Sequence, residues 1–186
     1  LHDPSGEPAL SAAWAEAAPE ARDFHAVETA ARRQILSDYL AAELAGVALL
    51  VHRVLQRDLR TRDFTLTAVR RVLRAVVTAF PTYRTYASLS GGREADAYVL
   101  DWAFTRASRE LRAMQHELLG HIRPILSGEA LRRARPGAER HDALQAVRRF
   151  QQLTGPVAAK SVEDTAFYRY LRLISRNEVG SDPSQF

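Results

Sequence analysis

One stretch near the C-terminal end gathers residue types that could do chemistry. Lys160 is followed by Glu163 and Asp164 three and four positions on, and then by Phe167, Tyr168 and Tyr170. Of the 26 basic residues Lys160 is the single lysine, the other 25 being arginine. A compact, strongly hydrated ammonium does work that a planar guanidinium cannot. The cation, the carboxylates and the rings form a mixed polar and aromatic set, the strongest candidate site in the chain. The plain alternative is an ion-pair network that braces a loop and only imitates a site. A second cluster, Tyr83-Arg84-Thr85-Tyr86, follows Phe80-Pro81 and puts two tyrosines and an arginine where the chain leaves a helix. Flat aromatic faces and guanidinium donors suit sugar rings and hydroxyls, and a packed corner between helices suits the same residues equally well.

Other groups fall away on spacing. His116 and His121 lie five apart, so a helix turns them about 140° away from each other, whereas a zinc-protease motif needs two histidines four apart on one face. His141-Asp142 reads as a helix start. Gly91-Gly92 lacks the spacing and the preceding strand of a phosphate loop and reads as a turn. No residue set calls for a metal or a cofactor.

The elements that would position these residues are helical. An alanine-rich helix is predicted over about Pro8 to Ala17. Asp23 can cap a long helix in which Val27, Ala31, Leu36, Leu40, Val47, Leu50 and Val54 recur at spacings near three and four, fading around Leu59. Glu28 and Arg32 can pair on its surface, and Gly46 inside it would allow close packing. Asp63 can cap a third helix with a stripe of Leu66, Val69, Val72, Leu73, Val76 and Val77 that ends before Pro81. A fourth carries Tyr98, Leu100, Trp102, Phe104 and Leu111, with a break near Gly120 or Pro124. Ser127-Gly128 and Arg135-Pro136-Gly137-Ala138 mark a mobile loop, and Asp142 to Gln152 reads as another helix. After Gly155-Pro156 the character changes: Val157-Ala158-Ala159 suits a buried strand and Glu163 to Tyr170 a helical turn lined with aromatics. The reading is mainly α, a helical bundle over residues 1–152 and a different kind of segment over 153–186.

Composition narrows the partners. With 186 residues, 46% hydrophobic and 26% charged, the chain can build one proper core. The absence of cysteine excludes disulfides and thiolate metal sites and suits a reducing compartment. The longest apolar run, Ala45 to Val51, is far below the ~20 residues of a membrane span. A net charge of +4 and a pI near 9.8 invite a nucleic-acid reading. Yet the arginine pairs are scattered among Glu and Asp with no recognition signature, as on solvated helix faces, so neither nucleic acid nor membrane is expected as a partner.

The run from Phe150 to Phe186, with Phe150-Gln151-Gln152-Leu153-Thr154-Gly155-Pro156, Lys160, Glu163-Asp164-Thr165-Ala166-Phe167-Tyr168-Arg169-Tyr170 and Asn177-Glu178-Val179-Gly180, resembles maltooligosyltrehalose synthase. The Tyr83-Arg84-Thr85-Tyr86 corner is similar to the same family. The family pattern has methionine where Ala158 stands and glycine at Ser161 and Ser181, and glycine at the former points to a backbone of positive φ. The resemblance implies a large cytoplasmic isomerase of the α-amylase superfamily with a (β/α)₈ barrel and no cofactor. Such an enzyme turns the reducing-end α-1,4 bond of a maltooligosaccharide into an α,α-1,1 bond, leaving a terminal trehalose unit. Its retaining chemistry needs a nucleophilic and an acid/base carboxylate in a pocket closed to water. The family's three catalytic carboxylate motifs are absent between Leu1 and Phe186. The chain is thus expected to be an internal piece, a helical insertion plus one returning barrel segment, non-catalytic alone and fraying beyond Gly155 where the barrel is missing. The resemblance further implies that Lys160, Glu163 and Asp164 meet sugar hydroxyls at a barrel strand end, that Phe167 or Tyr168 provides a ring platform, and that Tyr83 and Arg84 also face substrate. The competing reading is a free-standing helical binding module.

Overall fold

The computed structural model describes residues 3–21, 23–89 and 92–178; Gly91 of the glycine pair, and Val179, Gly180 and Ser181 of the family-like run, lie outside them. A first helix, α1 (Glu7–Ala17), falls where the alanine-rich stretch predicts it. Asp23 accepts a hydrogen bond from the His25 N–H at 2.9 Å and so starts α2 (Phe24–Asp38). The long helix expected to run to Leu59 is two helices. α2 closes where the Leu40 N–H returns to the Ile35 carbonyl at 2.9 Å, and α3 (Ala41–Leu55) departs at 82°. Leu36, Leu40 and Leu44 are buried at this elbow, so their spacing of four reads as one helix although the axis turns. Gly46 does not serve close packing, since no atom comes within 4 Å of where its Cβ would lie.

Thr65, not Asp63, caps α4 (Leu66–Thr78), accepting from the Ala68 N–H at 3.2 Å. Val69, Val72, Leu73, Val76 and Val77 are fully buried, while Arg70, Arg71 and Arg74 face outward, a clean amphipathic division. The next break comes at Leu111-Arg112, between α5 (Glu94–Glu110) and α6 (Ala113–Leu126); Gly120 and Pro124 both lie inside α6. Pro124 costs α6 one hydrogen bond to the Gly120 carbonyl, which solvent can satisfy because Gly120 is exposed. Between Ser127-Gly128 and Arg135-Pro136-Gly137 stands α7 (Glu129–Arg133), entered through Gly128 at φ 79° and held by buried Leu131, while residues 134–137 are a connecting turn.

The last long helix, α8 (Ala138–Ala158), exceeds the expected 142–152 at both ends. It passes directly into a π-helical segment (Ala159–Ala166), α9 (Phe167–Arg169) and a 3₁₀ turn (Leu171–Arg176). Val157-Ala158-Ala159 is therefore not a strand. Val157 and Ala158 are buried as foreseen, but a short apolar run carries no period to separate a strand from a buried helix. No residue other than glycine among those described has positive φ; Ser161 is helical and buried, its hydroxyl donating to the Val157 carbonyl.

The main core joins α3, α4, α5, α6 and α8, with α3 lying along α8. A smaller second core holds Phe24, Ala31, Ala166, Phe167 and Tyr170, with Trp14 against it. The Phe24 ring sits 5.6 Å from Phe167 and 5.5 Å from Tyr170, and Trp14 meets Tyr170 edge-on at 5.4 Å. Arg172 adds hydrogen bonds to Glu7 at 2.8 Å and Ser11 at 3.0 Å. Residues 156–178 thus dock on α1 and α2. No single helix among the described residues is long and apolar enough to cross a membrane; α2 and α3 together reach that length but are bent at the elbow.

Candidate functional site

Four pieces of chain meet around a cleft of about 460 Å³: the first half of α2, the end of α4 with its exit, α5, and the junction of α8 with the π-helical segment. Phe80 fixes the α4 exit, its buried ring standing perpendicular to Phe150 at 5.4 Å, so that Pro81, Thr82 and Tyr83 form one rim. Phe24, Ala158 and Val162 supply apolar surface, and Trp102 and Arg106, one turn apart on α5, line the cleft as well.

The polar groups are sharply divided. Arg32 is almost wholly buried, and its Nε and a terminal nitrogen both donate to Glu28 Oε1, at 3.0 and 2.8 Å. This pair was expected on the surface, but α2 is covered here by the C-terminal segment, and a charge so withdrawn from water needs its partner. His25 Nδ1 stands 3.5 Å from the other Glu28 oxygen. Glu163 has no such partner. Its Oε1 is buried and accepts no hydrogen bond from the protein, while its backbone carbonyl accepts from the Asn177 amide at 3.1 Å. A buried acceptor left without a donor is costly, and in a cleft it is poised for a donor brought by a ligand.

The candidates separate accordingly. Tyr83 and Glu163 line the cleft. Lys160 and Asp164 are exposed outside it, and Lys160 makes no ion pair with either carboxylate. Phe167 is wholly buried in the second core and offers no face; Tyr168 is 64% exposed beside it, away from the cleft. Arg84 lies over the Tyr86 ring at 4.6 Å, with Arg93 also over that ring at 4.5 Å. Asp96 ties this corner to α5 by accepting from the N–H groups of Tyr86 and Arg93. Of the four residues read as corner or sugar edge, Tyr83 faces the cleft and Arg84, Thr85 and Tyr86 build the corner.

Trp102, Arg32, Glu28 and His25 were missed as cleft residues. For Trp102 a signal existed: it lies two residues from both Leu100 and Phe104, about 200° around the helix from each, so it cannot share their buried stripe. Among the described residues no group of three or more His, Asp or Glu could hold a metal ion.

No family model matches the chain, and no solved structure matches it. Two curated proteins, both described as "Putative maltooligosyl trehalose synthase" and from two strains of Mycobacterium tuberculosis, are each 60% identical to it over 38 residues. The match covers 20% of this chain and 5% of the length of each relative, a short shared segment within much longer proteins.

Proposed function

We propose that the chain is the helical part of a longer carbohydrate-active enzyme that converts the reducing-end α-1,4 bond of a maltooligosaccharide into an α,α-1,1 bond. The observation that carries this reading is the 60% identity over 38 residues to the two mycobacterial proteins. The cleft fits it. Trp102 and Tyr83 offer ring faces, Phe24 and Val162 apolar contact, and Glu163 Oε1 an unused acceptor for a sugar hydroxyl. Lys160, Asp164 and Tyr168, exposed on the same C-terminal segment, would face substrate or the rest of the enzyme from the other side of that segment.

Catalysis is assigned elsewhere in the longer enzyme. Retaining transfer needs two carboxyl groups about 5–5.5 Å apart and free to act as nucleophile and acid. In this cleft Glu28 is committed to Arg32, which leaves Glu163 single. The chain's share of the mechanism is to hold a glucosyl unit and exclude water while the released sugar turns over. Incubating the 186-residue chain and the longer enzyme separately with maltopentaose tests the proposal. A product lacking reducing ends should form with the longer enzyme alone, and its formation by the isolated chain, or by neither protein, overturns it.

A further inference from the structure

Along α4, sharing Thr78 with the cleft, a second concavity of about 600 Å³ is shaped by four arginines and a glutamine. Arg33 comes from α2, Arg71 and Arg74 from the outward face of α4, and Arg112 and Gln115 from the start of α6. One carboxylate, Glu110, is present and is bound to Arg33 at 2.8 Å. Arg71, Arg74 and Arg112 have no acidic partner among the described residues, so the hollow keeps an excess of three positive charges. The first-turn N–H groups of α6 add the positive end of a helix dipole.

A basic patch alone would be a solvated helix face. Gln115 distinguishes this one. It is only 7% exposed, its Oε1 accepts from the Arg112 N–H at 3.2 Å, and its Nε2 is buried with no acceptor in the protein. Gln115 lines the hollow with its oxygen occupied, so its amide N–H is the group there that lacks a partner among the described residues, and a buried donor without an acceptor is costly. An oxyanion completes the set. One oxygen takes the Gln115 N–H and others take guanidinium forks, whose planar geometry matches phosphate. Three uncompensated charges match a dianionic phosphate better than a single carboxylate, and a concave hollow with its donor recessed suits a small ligand better than a polymer lying across it.

We infer that the pocket between α2, α4 and the start of α6 binds a phosphate group, either free phosphate or a phosphate monoester, through Arg71, Arg74, Arg112 and Gln115. Isothermal titration of the 186-residue chain at about 150 mM salt, with inorganic phosphate, glucose 6-phosphate and glucose, tests this and separates the two sources. Phosphate should bind and glucose should not; tighter binding of glucose 6-phosphate identifies a monoester site, and equal or weaker binding a free-phosphate site. The R71A/R74A variant should weaken phosphate about tenfold or more. Gln115→Glu retains the acceptor for Arg112 while replacing the donor, and should weaken it comparably with an unchanged melting temperature. R148A/R149A, on α8, should leave binding within about twofold. The inference is overturned if phosphate does not bind, if R148A/R149A costs as much as R71A/R74A, if Gln115→Glu binds normally, or if duplex DNA binds more tightly and displaces phosphate.

Discussion

Replacing Phe167 by alanine tests whether the C-terminal segment is an integral part of the fold. Phe167 is completely buried and its ring contacts Phe24 in a core separate from the main one. Truncating a buried Phe to Ala costs about 3–5 kcal/mol, of which one aromatic pair accounts for about 0.5–1.5. The second core is small and lies near solvent, so partial collapse favours the low end, about 3 kcal/mol. With a urea dependence of about 2 kcal/mol per molar, the unfolding midpoint should fall by about 1.5 M. Trp14 reports the site directly, because its ring meets Tyr170 edge-on and its Nε1 donates to the Ala21 carbonyl at 2.8 Å. The measurement is urea unfolding followed by circular dichroism and by Trp14 emission in a Trp102→Phe background. If both cores unfold together the two curves shift together. If the second core opens alone, Trp14 emission changes at low urea while the dichroism curve stays. Tyr168→Ala, at an exposed neighbour, should remain within about 0.5 kcal/mol. A Phe167→Ala protein with unchanged Trp14 emission and a midpoint within about 0.3 M of the parent refutes docking of the segment.

Glu28→Gln should destabilise by about 2–3 kcal/mol, since it leaves the buried Arg32 charge without its counter-ion, and should lower Tm by about 5–10 °C in calorimetry; an unchanged Tm means that Arg32 reaches water. Trp102→Ala should weaken maltopentaose binding to the cleft about tenfold in calorimetric titration, leaving stability nearly intact because the ring is half exposed; unaltered affinity removes Trp102 from the site. Arg60 donates side-chain and backbone hydrogen bonds to Asp58 and holds its carboxyl below the ordinary 3.8, at about 2. A lowered folded-state value favours the folded protein above pH 3.8, and the benefit is lost as pH falls through 2. Carboxyl NMR titration should place Asp58 near 2 and return it towards 3.8 in Arg60→Ala; a midpoint near 3.8 in the unaltered protein contradicts the pairing.

The helical class and most helix positions were legible because α4 and its neighbours repeat apolar residues on one face, and Asp23 announces a helix start with its own side chain. The elbow at Leu40 was not, because a spacing of four persists through a bend that tertiary packing imposes. Asp63 is the better cap in isolation, and only the buried start of the Val69 stripe decides for Thr65. At the site, two of seven candidate residues, Tyr83 and Glu163, line the cleft. Lys160 drew notice by rarity, a property of composition that says nothing about which way a side chain points. Arg32 reads as a surface residue for the opposite reason, since one arginine among 25 looks solvated until a segment more than a hundred residues away covers it.

The π-helical segment Ala159–Ala166 ties the direction of every later side chain to the number of residues and the type of helix together. Hydrogen bonds that reach five residues instead of four hold back about one residue per wide turn, so everything after them is rotated by about 100° from an uninterrupted α-helix. That offset lets Glu163 line the cleft while Phe167, a mere four residues on, enters the second core. Restoring ordinary α-helical bonding here at unchanged length would turn Phe167 and Tyr170 off the Phe24 ring, whereas deleting one residue between Ser161 and Ala166 removes the wide turn and leaves both rings in register. Homologues that keep the docked segment should therefore either carry the wide turn or lack one residue here, with ordinary α-helical bonding in its place.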